Sequence, residues 1–319
     1  MTVTIEDIQA AAGRIQALAK KTPVMHSRLF DEAAGIECYF KCENLQRGGA
    51  FKIRGAFNFL QALAPEKRKR GVVTFSSGNH AQAVAIAAAY LNVPATIVMP
   101  TDTPKAKMAS TQAYQPKIVL FDRLRENREE IARNIAAETS AIVLPSYDHP
   151  WVVAGQGTAA LELLAEMPDL DALFVPLGGG GLLAGTLLAA QAHNPSIRVF
   201  GVEPELASDW YQSIQAGKRI AIPPPNTIAD GLRTTIPGEV TFPIVSKLAA
   251  GILLVSEEEI KAAVRFLLTR LKILTEPSGA VPAAALLYKK FPAGITKAGI
   301  ILSGGNVDYD VLAAICQAA

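Results

Sequence analysis

The amino-acid sequence predicts an α/β protein with two open, mainly parallel twisted sheets flanked by helices, and an active site in the cleft between them. Three observations lead there. Short β-branched or apolar runs alternate with helix-length segments along most of the 319 residues. The alternation comes in two separate series, which suggests two sheets rather than one. Glycine- and serine-rich segments stand directly after strands or open helices, where sheets of this kind place their ligands.

In chain order, residues 37–42 read as a strand with Cys38 and Cys42 on one face, because an even spacing returns side chains to the same side. Strands follow at 72–74, 95–99, 117–120 and 141–144, separated by helices at 82–90, 105–112 and 126–138. Pro94, Pro100 and Pro104 punctuate the joins. In the second series a helix at 182–192 lies between strands at 173–176 and 197–202. Strands at 252–255 and 299–302 complete it, with helices at 257–270 and 281–289.

Half of the chain (50%) is hydrophobic, ample for a large core. Charged residues make up 19% and the net charge is +2, with no basic arm, so neither nucleic acid nor an anionic membrane is expected as a partner. The start, Met1-Thr2-Val3-Thr4, enters a helix pattern without an apolar signal core, and no apolar run reaches the length of a membrane span. A cytoplasmic protein is expected. Cys38, Cys42 and Cys316 lack the second Cys/His pair of a zinc site and are expected as buried or partly buried thiols.

Four segments carry candidate chemistry. In Gly48-Gly49-Ala50-Phe51-Lys52 small residues allow close backbone approach, and Lys52 stands at a helix start. A cation there opposes the positive end of the helix dipole, which favours the neutral, nucleophilic amine. Ser76-Ser77-Gly78-Asn79-His80 follows a strand as an anion-binding turn with hydroxyl and amide donors. Gly178, Gly179, Gly180 and Gly181 join a strand to a helix and free several backbone N–H groups for a phosphate. The loop lacks the Lys-Ser/Thr ending of a nucleoside-triphosphate site, so a phosphate monoester fits better. Ser303-Gly304-Gly305-Asn306 ends the last strand and places Ser303 at its tip.

Together these segments resemble the fold type II pyridoxal-phosphate enzymes, the tryptophan-synthase-β-like group, and within it the threonine/serine dehydratase and serine racemase family. The resemblance runs from about Thr22 to Asp308 and includes Lys41-Cys42-Glu43-Asn44-Leu45-Gln46, Ala154-Gly155-Gln156-Gly157-Thr158, Thr227-Ile228-Ala229-Asp230-Gly231 and Glu276-Pro277. It implies pyridoxal 5'-phosphate as cofactor and Lys52 as the Schiff-base lysine. It implies Phe51 beside the cofactor ring and Asn79 on the ring 3-oxygen. Gly178 to Gly181 and Leu182 would hold the phosphate, and Ser303 would face the pyridine nitrogen. Ser77 matches the serine that stands on the opposite cofactor face in racemases. Ser76, Ser77, Gly78, Asn79 and His80 would bind the substrate carboxylate. Gly48-Gly49-Ala50 departs from the Thr-Gly-Ser that usually precedes Phe-Lys in the family.

The resemblance further implies a large cofactor-binding domain of residues 1–64 plus 149–319, a small mobile domain of residues 71–148, and a homodimer. The implied reaction is β-elimination from L-threonine or L-serine, giving a 2-oxo acid and ammonia. Serine racemase and threo-3-hydroxyaspartate ammonia-lyase are the alternatives. For the latter, Ser146-Tyr147-Asp148-His149-Pro150 resembles that branch, and Arg128 is the candidate for the extra carboxylate. Glu203, the Ala207 carbonyl and Asp209 match a divalent-cation site for Mg²⁺, Ca²⁺ or Mn²⁺. The alternative from a different class is a non-catalytic protein that binds the cofactor or an amino acid.

Overall fold

The computed structural model describes residues 2–103 and 105–317. Ten strands form two sheets: β1 (Val24–His26), β2 (Glu37–Cys42), β3 (Val72–Phe75), β4 (Ala95–Pro100), β5 (Lys117–Phe121), β6 (Ile142–Val143), β7 (Ala172–Pro176), β8 (Arg198–Pro204), β9 (Gly251–Val255) and β10 (Lys297–Leu302). The larger sheet has the order β1-β2-β10-β7-β8-β9 and the smaller one β5-β4-β3-β6. All neighbours run parallel except β1, which pairs antiparallel with β2. The smaller sheet is built from residues 72–143, and the chain before and after it builds the larger one.

The larger sheet is covered on both faces, which is why its central strands are apolar throughout. Along β7, Ala172 and Phe174 face one core with Phe30, Phe40, Ile260 and the Ala-rich helix Pro277–Leu287. Leu173 and Val175 face the other, with Ile8, Val153, Leu163 and Leu183. There the helices Pro150–Glu166 and Gly181–His193 cross closely. A Cβ on Gly185 would lie 2.5 Å from the Gly157 nitrogen, so the crossing requires glycine.

The helix Pro150–Glu166 is absent from the expectations above. It is buried over most of its surface and shows no polar stripe to give a helical period. The helix expected at 281–289 in fact begins earlier, as the helix Pro277–Leu287 opened by a proline in its first turn. The 257–270 segment divides into an α-helix, Glu257–Phe266, and a π-helical turn, Leu267–Leu271. Cys38 and Cys42 are buried, but Cys316 is exposed, contrary to expectation. It lies in the helix Tyr309–Gln317, whose inward face is marked by the adjacent Ile315. Among the described residues no helix is long and apolar enough to cross a membrane.

Candidate active site

Three of the four candidate segments meet at the tip of β10, the first and fourth through backbone pairing. Phe51 N–H donates to the Ser303 carbonyl at 3.0 Å, and Gly305 N–H donates to the Gly49 carbonyl at 2.9 Å. Gly48 and Gly49 both have positive φ, 74° and 71°. A side chain at 49 would also overlap the Asn306 amide. The glycine at 48, one of the departures from the family pattern, thus sits where the backbone favours it. Asn306 Nδ2 donates to the Gly48 carbonyl at 2.7 Å and to Asn79 Oδ1 at 2.9 Å, joining the second segment to the first and fourth.

The helix Lys52–Ala62 begins at the candidate lysine. Lys52 Nζ donates to the Ser146 carbonyl at 2.8 Å and lies 5.0 Å from the centre of the Phe51 ring. Burial lowers its pKa to about 8, while the nearby Glu276 carboxylate pulls the other way. Desolvation, rather than the helix dipole invoked from sequence, is the main cause. The helix is anchored by a buried ion network one turn away. Arg54 Nε and Nη2 bond both Glu43 carboxylate oxygens at 2.7 and 2.8 Å, and Arg54 Nη1 reaches Glu162 at 2.7 Å. Lys41 Nζ joins Glu162 at 2.6 Å. Burial works to raise the Glu43 carboxyl, but Arg54 beside it prevails and holds it below the usual range.

The second segment leaves β3 at Phe75. Ser76 N–H continues the sheet by donating to the Val98 carbonyl, and Gly78 N–H donates to Ser76 Oγ at 3.3 Å. The helix Asn79–Tyr90 starts there. Asn79 Nδ2 donates to Glu276 Oε1 at 2.6 Å. Burial, aided by the nearby Asp230 charge, raises the Glu276 carboxyl to about 8. His80 turns inward: its ring is buried and bonds the Leu144 carbonyl through Nε2 at 3.3 Å. Burial and the neighbouring Lys52 lower its pKa to about 3, so the ring stays neutral. A role for that ring in gripping a carboxylate does not fit this placement.

The glycine loop follows β7. The Trp210 indole N–H donates to the Gly178 carbonyl at 2.5 Å, and the Thr241 hydroxyl donates to the Gly179 carbonyl at 2.9 Å. The amides of Gly178, Gly179, Gly180, Gly181 and Leu182 have no hydrogen-bond acceptor among the described residues. Gly180 has φ 89°, and the helix Gly181–His193 starts at the next residue. Consecutive unpaired amides at a helix N-terminus are chemically suited to a phosphate. The Tyr147 ring packs on Gly179, where any Cβ would overlap it. Residues 146 and 147 therefore link the lysine to the glycine loop. Ser303 is buried at the tip of β10.

Arg128 opens the helix Arg128–Thr139, with its guanidinium 5.4 Å from the centre of the Phe75 ring. It is close enough to Tyr147 to oppose the effect of burial, which raises that phenol to about 12. Its charge has no ion-pair partner among the described residues, unlike neighbouring Arg123 and Arg125. The alternative of a helix-face ion pair with Glu129 is not what the structure holds.

Glu203 is the penultimate residue of β8 and Asp209 opens the helix Asp209–Ala216; both are buried. Glu203 Oε1 accepts from Tyr211 N–H at 2.8 Å, and Oε2 has no partner. Burial raises the Glu203 carboxyl well above its usual value and the Asp209 carboxyl to about 7. Two desolvated acids with an unpartnered oxygen suit a hard cation. Among the described residues no three His, Cys, Asp or Glu side chains cluster as a metal site.

Sequence reasoning left Glu276, Trp210, Thr241 and Asn306 without roles. Asn306 stands in the fourth candidate segment, and Glu276 carried a local signal as an acid before the proline that opens a helix. The family model for pyridoxal-phosphate dependent enzymes matches residues 15–304. An L-threo-3-hydroxyaspartate ammonia-lyase of Saccharomyces cerevisiae is 50% identical, over 96% of this chain and 94% of that protein. A serine racemase of Schizosaccharomyces pombe is 47% identical, over 96% of this chain and 95% of that protein. The structure of maize serine racemase superposes with a TM-score of 0.95 at 42% identity, covering 100% of this chain and 98% of that one. The two-sheet architecture, the cofactor dependence and the status of an enzyme rather than a passive binder accord with these matches. The chain belongs to the family of pyridoxal-phosphate dependent enzymes.

Proposed function

We propose that the protein is an ammonia-lyase for small 3-hydroxy amino acids, with L-threo-3-hydroxyaspartate preferred over L-threonine and L-serine. The observation that carries the preference is Arg128, a guanidinium without an ion-pair partner among the described residues, over the ring of Phe75, the residue before the Ser76–Gly78 turn, and within electrostatic reach of Tyr147. A guanidinium so placed suits a second substrate carboxylate. The ammonia-lyase name of the yeast relative agrees with it.

Pyridoxal phosphate, when bound, supplies the sink for the electrons of the broken α-C–H bond. The protein supplies position and proton transfer. Lys52 Nζ, with its pKa near 8, can take the α-proton near neutral pH. Ser76, Ser77, Gly78 and Asn79 receive the α-carboxylate at the start of the helix Asn79–Tyr90, and His80 contributes only its backbone. Asn79 is fixed by Glu276 and Asn306, and would meet the ring 3-oxygen. Gly178 to Leu182 would hold the phosphate through their amides, Phe51 would pack by the ring, and Ser303 would face the ring nitrogen. The β-hydroxyl leaves as water, and hydrolysis of the released enamine yields a 2-oxo acid and ammonia.

Glu203, the Ala207 carbonyl and Asp209 would hold a divalent cation as a structural centre. Residues 71–148 form a small domain that closes against residues 1–64 and 149–319. The Lys107–Asp230 ion pair and the Asn306–Asn79 bond are contacts across that cleft. Racemisation of serine is the second reading, favoured by Ser77 as a proton donor opposite Lys52 and by the name of the fission-yeast relative.

The test is Arg128→Met, assayed by 2-oxo acid release from each substrate. Loss of a charge-assisted contact lowers kcat/KM for L-threo-3-hydroxyaspartate by roughly thirtyfold. L-serine, which lacks the second carboxylate, changes little. An equal fall for both substrates would remove the basis for the preference.

A further inference from the structure

We infer that Trp210 and Thr241 are positioning residues for the cofactor phosphate, holding the glycine loop by its carbonyls so that its amides turn toward the ligand. The inference rests on the reading of Gly178 to Leu182 as the phosphate site. In a trans peptide the C=O of one residue and the N–H of the next point in opposite directions. Fixing the Gly178 carbonyl on the Trp210 indole therefore directs Gly179 N–H the other way. Fixing the Gly179 carbonyl on the Thr241 hydroxyl does the same for Gly180 N–H. Without these two bonds, peptides flanked by glycines turn over readily, since no Cβ restrains them.

Both anchors are themselves held. Trp210 is fully buried, with its ring against the backbone of Gly180, where a Cβ would overlap it. Thr241 is buried at the start of the helix Thr241–Leu248. Asp148 fixes the turn before that helix by accepting from the amides of Glu239 and Val240, each at 2.8 Å. Asp148 follows Tyr147, which packs on Gly179, so the loop is clamped from both sides. Neither Trp210 nor Thr241 touches the ligand in this arrangement, and each acts through a glycine carbonyl.

The test compares affinities of the full chain, stripped of cofactor, for pyridoxal phosphate and for pyridoxal, which lacks the phosphate. Absorbance titration reads both. Thr241→Val keeps the shape and removes the donor. It is expected to weaken pyridoxal phosphate by about tenfold, the scale of one hydrogen bond, and to leave pyridoxal unchanged. Thr241→Ser restores the difference, and Trp210→Phe reproduces the loss. An unchanged preference for the phosphorylated ligand in Thr241→Val and Trp210→Phe, or equal weakening of both ligands, overturns the inference. Gly180→Ala separates this from failure of the underlying reading, because it strains the loop itself at φ 89°. If Gly180→Ala abolishes the preference while the two anchor variants retain it, only the positioning role falls. If all three variants retain it, the phosphate site lies elsewhere and the inference falls with it.

Discussion

The amine of Lys52 should react with the cofactor at a pH where an ordinary lysine is almost wholly protonated. Its pKa is lowered from 10.5 to about 8, and only the neutral amine is a nucleophile. At pH 7 a pKa of 8 leaves about one amine in ten neutral, against roughly one in three thousand for a pKa of 10.5, a gain of about three-hundredfold in reactive form. The assay is the rate of covalent capture of pyridoxal phosphate by the stripped protein, followed by absorbance across the pH range. A free lysine derivative run in parallel accounts for titration of the cofactor itself. Capture should rise through a midpoint near 8 and level off above it. Glu276→Gln sharpens the test. Glu276, itself titrating near 8, gains charge through the same range and holds the Lys52 pKa up, so removing that charge should move the midpoint to lower pH. A midpoint close to that of the free lysine derivative would refute burial as the activating force.

Two further expectations concern stability. Arg54→Leu leaves Glu43 buried without its principal partner and should destabilise the protein by about 3–5 kcal/mol, measured by denaturant unfolding. If it is nearly neutral, the network is not what secures the Lys52 helix. Removal of divalent ions by a chelator should lower the melting temperature of the wild type but not of Asp209→Asn, which has already lost a carboxylate of the proposed site. Identical responses would argue against a cation held by Glu203 and Asp209.

The candidate segments were legible because their chemistry is local. A run of glycines between strand and helix, or a serine-rich turn after β3, announces exposed backbone donors wherever the rest of the chain goes. The roles of Glu276 and Asn306 were hidden for the opposite reason. Glu276 meets Asn79 across 197 residues of sequence, and nothing near either residue marks the encounter. Lys52 was found for an incomplete reason: its helix start is visible in sequence, but the burial that lowers its pKa depends on tertiary packing. His80 shows the converse limit. Its place in a polar turn suggested a ligand contact, yet the first turn of the helix Asn79–Tyr90 carries its ring into the protein toward Leu144. The alternating sheets were legible from strand and helix lengths, whereas the helix Pro150–Glu166 lacked the polar face that would have revealed it.

Lys52 is proposed to drive β-elimination from a dicarboxylic hydroxy amino acid. The most direct test is a side-by-side measurement with purified holoenzyme on L-threo-3-hydroxyaspartate, L-threonine, L-serine and D-serine, recording 2-oxo acid and D-serine formation together. The highest kcat/KM for 2-oxo acid release is expected from L-threo-3-hydroxyaspartate, with no such release by Lys52→Ala. Normal 2-oxo acid production by Lys52→Ala, or D-serine formation from L-serine outpacing every elimination, would contradict it.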